Sequence, residues 1–133
     1  MSRVILTCMA LVALLLGPAS VAAAGEASAG AVYTLTNTAS NAVNVYDRSA
    51  SGELTLSGTF PTGGIGGSLG SQGAVVTSAN GHWLYAVDAG SNDIAAFRIA
   101  NGDLVLTDRV SSGGTQPVSV TTSHDLVYVV NAA

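Results

Sequence analysis

Apolar and polar residues alternate in short bursts along most of this chain, and the bursts recur. Leu84-Tyr85-Ala86-Val87-Asp88-Ala89 is echoed about 43 residues later by Val127-Tyr128-Val129-Val130-Asn131-Ala132. Val32-Tyr33-Thr34-Leu35 fits the same template, with one extra residue before Asn37. Ser40-Asn41 matches Ser91-Asn92, Tyr46 matches Phe97, and Gly63-Gly64 matches Gly113-Gly114. Gly52-Glu53-Leu54-Thr55-Leu56 matches Gly102-Asp103-Leu104-Val105-Leu106, and Ser71-Gln72-Gly73-Ala74-Val75-Val76 matches Thr115-Gln116-Pro117-Val118-Ser119-Val120. Matches in a fixed order mark a repeat of about 43–50 residues.

Each unit predicts four short strands. In the complete unit these are residues 74–78, 83–88, 93–99 and 103–110. Asn80-Gly81 and Asn101-Gly102 are hairpin signals, because both central residues of such a turn must accept positive φ. Gly90 serves the turn between the second and third strands. No tract after Gly30 has the apolar period of a helix.

Four antiparallel strands per repeat of this length predict an all-β fold, a β-propeller, with each unit a blade. The second and third strands are apolar on both faces, as blades sandwiched between neighbours require. The first strand carries small residues (Ala74, Thr77, Ser78; then Val118, Ser119, Val120), which places it innermost, where blades converge. An immunoglobulin-like sandwich is the main rival, but its strands need not repeat in sequence. From residue 31 the chain holds three strands of one blade, a whole blade, and two strands of a third. Four to eight blades are needed for closure. The expectation is an incomplete propeller, the N-terminal part of a longer one. Its open sheet edges need the remaining blades or self-association to cover them.

The first residues follow a different pattern. Arg3 precedes an apolar run, residues 4–16, broken only by Thr7; Gly17-Pro18 and small residues follow. This reads as a secretory signal peptide over residues 1–24, with cleavage after Ala24 or Ala29, and residues 25–133 as propeller. The run is too short to anchor in a bilayer. Cys8, the one cysteine, leaves with it, so no disulfide or thiolate chemistry remains. The expected location is secreted or periplasmic.

Charge narrows the partners. The chain is 9% charged with a net charge of −4, and after residue 24 its only cations are Arg48, Arg98 and Arg109. No basic patch can form, which disfavours nucleic acid and anionic membrane surfaces.

The stretches VYTLTN, VYDRSASGELTLSGTFPTGG, GSLGSQGAVVTSANGHWLYAVDAGSNDIAAFRI and PVSVTTSHDLVYVVNA resemble secreted members of the lactonase-like seven-bladed β-propellers, the family of propeller-type 6-phosphogluconolactonases and carboxymuconate cyclases. The resemblance covers nearly everything after the signal, about two of seven blades. It implies lactone ring opening or cyclisation at the mouth of a central channel, on a lactone or sugar-acid ligand, without metal or other cofactor. It carries over no individual catalytic residue. A non-catalytic propeller that binds a protein or a cell-surface polymer fits the repeat equally.

Several motifs bear on chemistry. Gly66-Gly67-Ser68-Leu69-Gly70 matches G-x-S-x-G but lacks the strand before and helix after that a nucleophile elbow needs. It reads as a flexible Gly-rich insertion, a rim or lid segment. Gln72 and Gln116 hold equivalent positions just before an inner strand. Their amides either reach a ligand carbonyl or ring oxygen at the channel mouth or satisfy backbone groups of a neighbouring blade. They are the candidate ligand contacts. His82 and His124 fall in exposed hairpin turns. Asp88 and Asn131, at equivalent strand ends, read as Asx caps of the following turn. Asp88 and Asp93 lack the further oxygen ligands of a metal loop. Asp47-Arg48 and Asp108-Arg109 read as solvated charges, and Trp83 as core.

Overall fold

The computed structural model describes residues 28–67, 69 and 73–133. The predicted signal peptide lies outside the described residues. Among the described residues there are nine strands: β1 (Ala31–Leu35), β2 (Ala42–Arg48), β3 (Leu54–Pro61), β4 (Val75–Thr77), β5 (Trp83–Asp88), β6 (Asp93–Ala100), β7 (Asp103–Ser111), β8 (Pro117–Ser123) and β9 (Leu126–Asn131). They form three antiparallel sheets in the orders β1-β2-β3, β4-β5-β6-β7 and β8-β9. These are the predicted blades, divided three, four and two.

The repeat survives in fine detail. Tyr85 pairs with Val76 on one side and Ala96 on the other, and its counterpart Tyr128 pairs with Thr121. A bulge interrupts β2–β3 between Val45 and Tyr46, and its equivalent interrupts β6–β7 between Ala96 and Phe97. Bulges increase the local twist of a strand pair.

The two-faced apolar pattern is what packs the sheets. Leu84, Ala86, Ala95 and Phe97 point toward the first sheet and meet Val43 and Val45. The alternate residues Val87 and Ile94 point the other way and meet Val120 of the third sheet. One sheet thus supplies half of two cores, so a polar residue on either face of β5 or β6 would cost burial. Trp83, expected in the core, is only half-buried.

The two Asn-Gly pairs behave differently. Asn101 and Gly102 have φ of 54° and 89° and join β6 to β7 as a two-residue turn, as both-positive hairpin geometry requires. At the other pair only Gly81 is in the left-handed region, with φ of 71°. Ser78 belongs to that turn rather than to the strand: its hydroxyl donates to Asn80 Oδ1 at 2.7 Å and accepts from Trp83 N at 3.0 Å. The inner strand is correspondingly shorter than predicted.

Candidate functional site

At one end of the sheets the β1–β2 and β5–β6 turns meet the connections that lead into the inner strands β4 and β8. Two polar clasps are built there from equivalent residues. In the first, Asn41 Nδ2 donates to Asp88 Oδ1 at 2.7 Å and to the Val87 carbonyl at 3.2 Å. Thr62 Oγ1 donates to the same Asp88 oxygen at 2.7 Å. The Thr62 amide bonds the Asn41 carbonyl at 2.9 Å, which ties β3 back to the β1–β2 turn. In the second clasp the Ser112 amide bonds the Asn92 carbonyl at 2.9 Å, and Asn131 Nδ2 donates to the Ser112 carbonyl at 3.2 Å.

Asp88 is fully buried. Its side chain crosses to the neighbouring sheet, which corrects the expected Asx cap; Asn131 likewise leaves its own turn. Burial pushes the Asp88 carboxyl above the ordinary carboxylate range. The bonds from Thr62 and Asn41 pull it down and neighbouring Asp93 pushes it up, but burial dominates. Asp93 in turn pairs with Arg109, whose side chain stays exposed to solvent as the sequence predicts.

The Gly-rich connection is anchored where it is described. Gly66 N donates to the Thr38 carbonyl, and Gly67 N to Asn37 Oδ1, both at 2.8 Å. Ile65 N donates to Ser91 Oγ at 2.9 Å, and its carbonyl accepts from Gly90 N at 2.8 Å. The expected flexible insertion is, over residues 63–67, a ribbon threaded between two turns. A Cβ on Gly66 would lie 2.5 Å from the Asn37 carbonyl carbon, so glycine permits the close approach.

Of the candidate ligand contacts, Gln72 lies outside the described residues. Gln116 is half-buried at the start of β8 with φ of 55°. Its backbone N–H donates to Asn92 Oδ1 at 2.7 Å and its backbone carbonyl accepts from Ala132 N at 3.0 Å. Asn92 itself has φ of 62°, so a left-handed turn residue holds the backbone of the next connection. Gly73, beside Gln72, accepts from Val120 N at 2.8 Å, bringing the two inner strands together.

Gly73 also lines a cleft of about 400 Å³ with Tyr33, Thr34, Asn37, Leu69 and Val75. Burial raises the Tyr33 phenol above its ordinary value, so it remains a neutral hydroxyl donor at physiological pH. Among the described residues neither a carboxylate nor a histidine lines this cleft. His82 and His124 sit exposed in turns at the opposite end, as expected. Among the described residues no three His, Cys, Asp or Glu side chains group as metal ligands. Sequence reasoning missed Asn41 and Thr62; the signal that could have found them is their recurrence as Asn92 and Ser112.

Comparison with known proteins agrees with this geometry. No curated protein matches the chain in sequence. Among solved structures, the periplasmic gluconolactonase PpgL of Pseudomonas aeruginosa superposes with a TM-score of 0.57 at 27% identity. The match covers 71% of this chain and 28% of that one, so the chain spans little more than a quarter of its structural neighbour. The family model described as lactonase, 7-bladed β-propeller matches residues 26–133, and the chain belongs to that family.

Proposed function

We propose that the protein is an exported lactonase that opens the ring of a sugar-acid lactone, and that this chain supplies part of the binding wall. Family membership over residues 26–133 is the observation that carries the reading. The name of the periplasmic gluconolactonase supports both the substrate class and the location, and the signal-like N-terminal sequence supports the location.

Lactone hydrolysis needs water to attack the carbonyl carbon, donors for the oxygen that becomes negative, and a proton for the departing ring oxygen. Tyr33 and Asn37 line the cleft beside the start of β4, along the β1 edge that the first blade's inner strand would flank. Tyr33 can donate to a carbonyl or ring oxygen, and the amides of Gln72 and Gln116 serve the same role at the mouth. No described residue of the cleft offers a base, so the base comes from further blades. On this reading the chain alone binds weakly and does not turn over.

The test is lactone hydrolysis followed by proton release, with glucono-1,5-lactone as probe. The seven-bladed protein should hydrolyse it and the 133-residue chain should not. Gln116→Ala in the seven-bladed protein should raise KM more than it lowers kcat. Turnover by the short chain would overturn the division of labour. Polymer or protein binding by the seven-bladed protein, without turnover of any lactone, would favour a non-catalytic propeller.

A further inference from the structure

The two clasps differ in the group they close on and in its bonds: Asp88 Oδ1 accepts from Asn41 and Thr62, whereas Asn131 Nδ2 donates to the Ser112 carbonyl. The first closes on a carboxyl group, Asp88, and the second on an amide, Asn131. Both side chains lie against a glycine. A Cβ on Gly64 would sit 2.3 Å from Asp88 Cγ and Oδ2, and one on Gly114 would sit 2.7 Å from Asn131 Cγ and Nδ2. Both leave one buried oxygen without a partner, Asp88 Oδ2 and Asn131 Oδ1. The same niche therefore accepts an ionisable group at one interface and its neutral isostere at the next.

We propose that Asp88 is a proton-dependent latch between the first two blades. Neutral, it locks the first blade's outgoing connection onto the second. Ionised, it loosens that interface, while the interface closed by Asn131 does not respond to pH.

The surroundings favour the neutral form. Asn41, Thr62 and Gly64, which pack on Asp88 from the first sheet, carry no charge. Thr62 and Asn41 both donate to Oδ1 and leave Oδ2 to carry a proton. The charged groups near it are Asp93, its cross-strand partner on β6, and Arg109 on β7. Arg109 is engaged by Asp93, which leaves no cation dedicated to Asp88. An ionised Asp88 would be a buried charge with two neutral donors and an acid beside it.

Such a carboxyl, held neutral in the fold and titrating normally when unfolded, binds a proton on folding. Stability is then greatest at low pH. It falls as pH rises from the ordinary carboxylate range through the raised native value, and the loss is complete above it.

The experiment is urea unfolding of the full chain at a series of pH values, for wild type, Asp88→Asn, Asn131→Asp and Asp93→Asn. In the window above the ordinary carboxylate range, the wild-type folding constant should fall by up to about tenfold per pH unit relative to Asp88→Asn. Both proteins keep the Asp93–Arg109 pair, so their difference isolates Asp88. Asn131→Asp should gain a second fall of the same sign, and Asp93→Asn should move the wild-type fall to lower pH. Parallel pH profiles for wild type and Asp88→Asn would overturn the proposal. Failure of Asp88→Asn to fold at acid pH would overturn it too, because the latch must close on an amide as it does at position 131.

Discussion

Gly64→Ala is the substitution that tests the first clasp most sharply. Gly64 is not among the residues with positive φ, so its backbone suits any L-residue. On backbone grounds alanine should stabilise by about 0.4–1 kcal/mol through the unfolded state. The added Cβ, however, would fall 2.3 Å from Asp88 Cγ and Oδ2. Asp88 is buried and held by Asn41 and Thr62, so it cannot move without breaking both bonds. Overpacking costs about 1–3 kcal/mol, and two buried hydrogen bonds contribute about 0.5–1.5 kcal/mol each. The net expectation is a loss of roughly 2–4 kcal/mol. At a urea slope of about 1–1.5 kcal/mol/M that is a midpoint shift of about 2 M.

Fluorescence of the single tryptophan, Trp83, follows the unfolding. Gly81→Ala is the control. Its φ is 71° and its Cβ meets nothing within 4 Å, so it suffers left-handed strain alone, about 1–2 kcal/mol. Asp88→Gly in the Gly64→Ala background removes every obstructing atom, the Asp88 Cβ at 2.6 Å included, and the pair should be non-additive by about 1–3 kcal/mol. A Gly64→Ala protein as stable as Gly81→Ala, or strict additivity in the double variant, would refute the reasoning.

Phe97→Ala should destabilise by about 3–5 kcal/mol, since Phe97 is buried in the core between the first two sheets; urea unfolding reads it. Arg109→Met should cost no more than about 1 kcal/mol, because its ion pair with Asp93 is partly exposed; the same assay decides. The 133-residue chain should elute from size exclusion larger than a monomer, because strands such as β9 present apolar side chains (Val130, Tyr128) beside an unpaired edge. A sharp monomer peak would contradict this.

Why some features could be read from the sequence and others not follows from how local they are. β5 coincides with its predicted bounds because its apolar run is closed by Trp83 and Asp88, and each of its two partner strands is one turn away. The two-residue turn at Asn101-Gly102 is equally local. The turn at Asn80-Gly81 departs from the two-residue form because the Ser78 hydroxyl competes for its backbone, an interaction the dipeptide does not encode. An aspartate at a strand end usually serves its own turn, which is why sequence alone predicts Asp88 as a turn cap. What redirects it is Asn41, 47 residues earlier, and a niche opened by Gly64. The Gly-rich run reads as flexible for the same reason: its composition shows freedom, and only the facing turns show restraint. A channel site assembled from several blades is less legible still, since one blade contributes only a few of its side chains.

The account rests on consecutive sheets standing as neighbouring blades with their inner strands in contact. The direct test is the trans-hydrogen-bond scalar coupling between Val120 N and the Gly73 carbonyl carbon, a bond of 2.8 Å between sheets. The bond from Val87 N to the Ala74 carbonyl, 2.9 Å within one sheet, is the reference. Couplings at both are predicted. A coupling at Val87 with none at Val120 would leave a ladder of strands that is not a propeller.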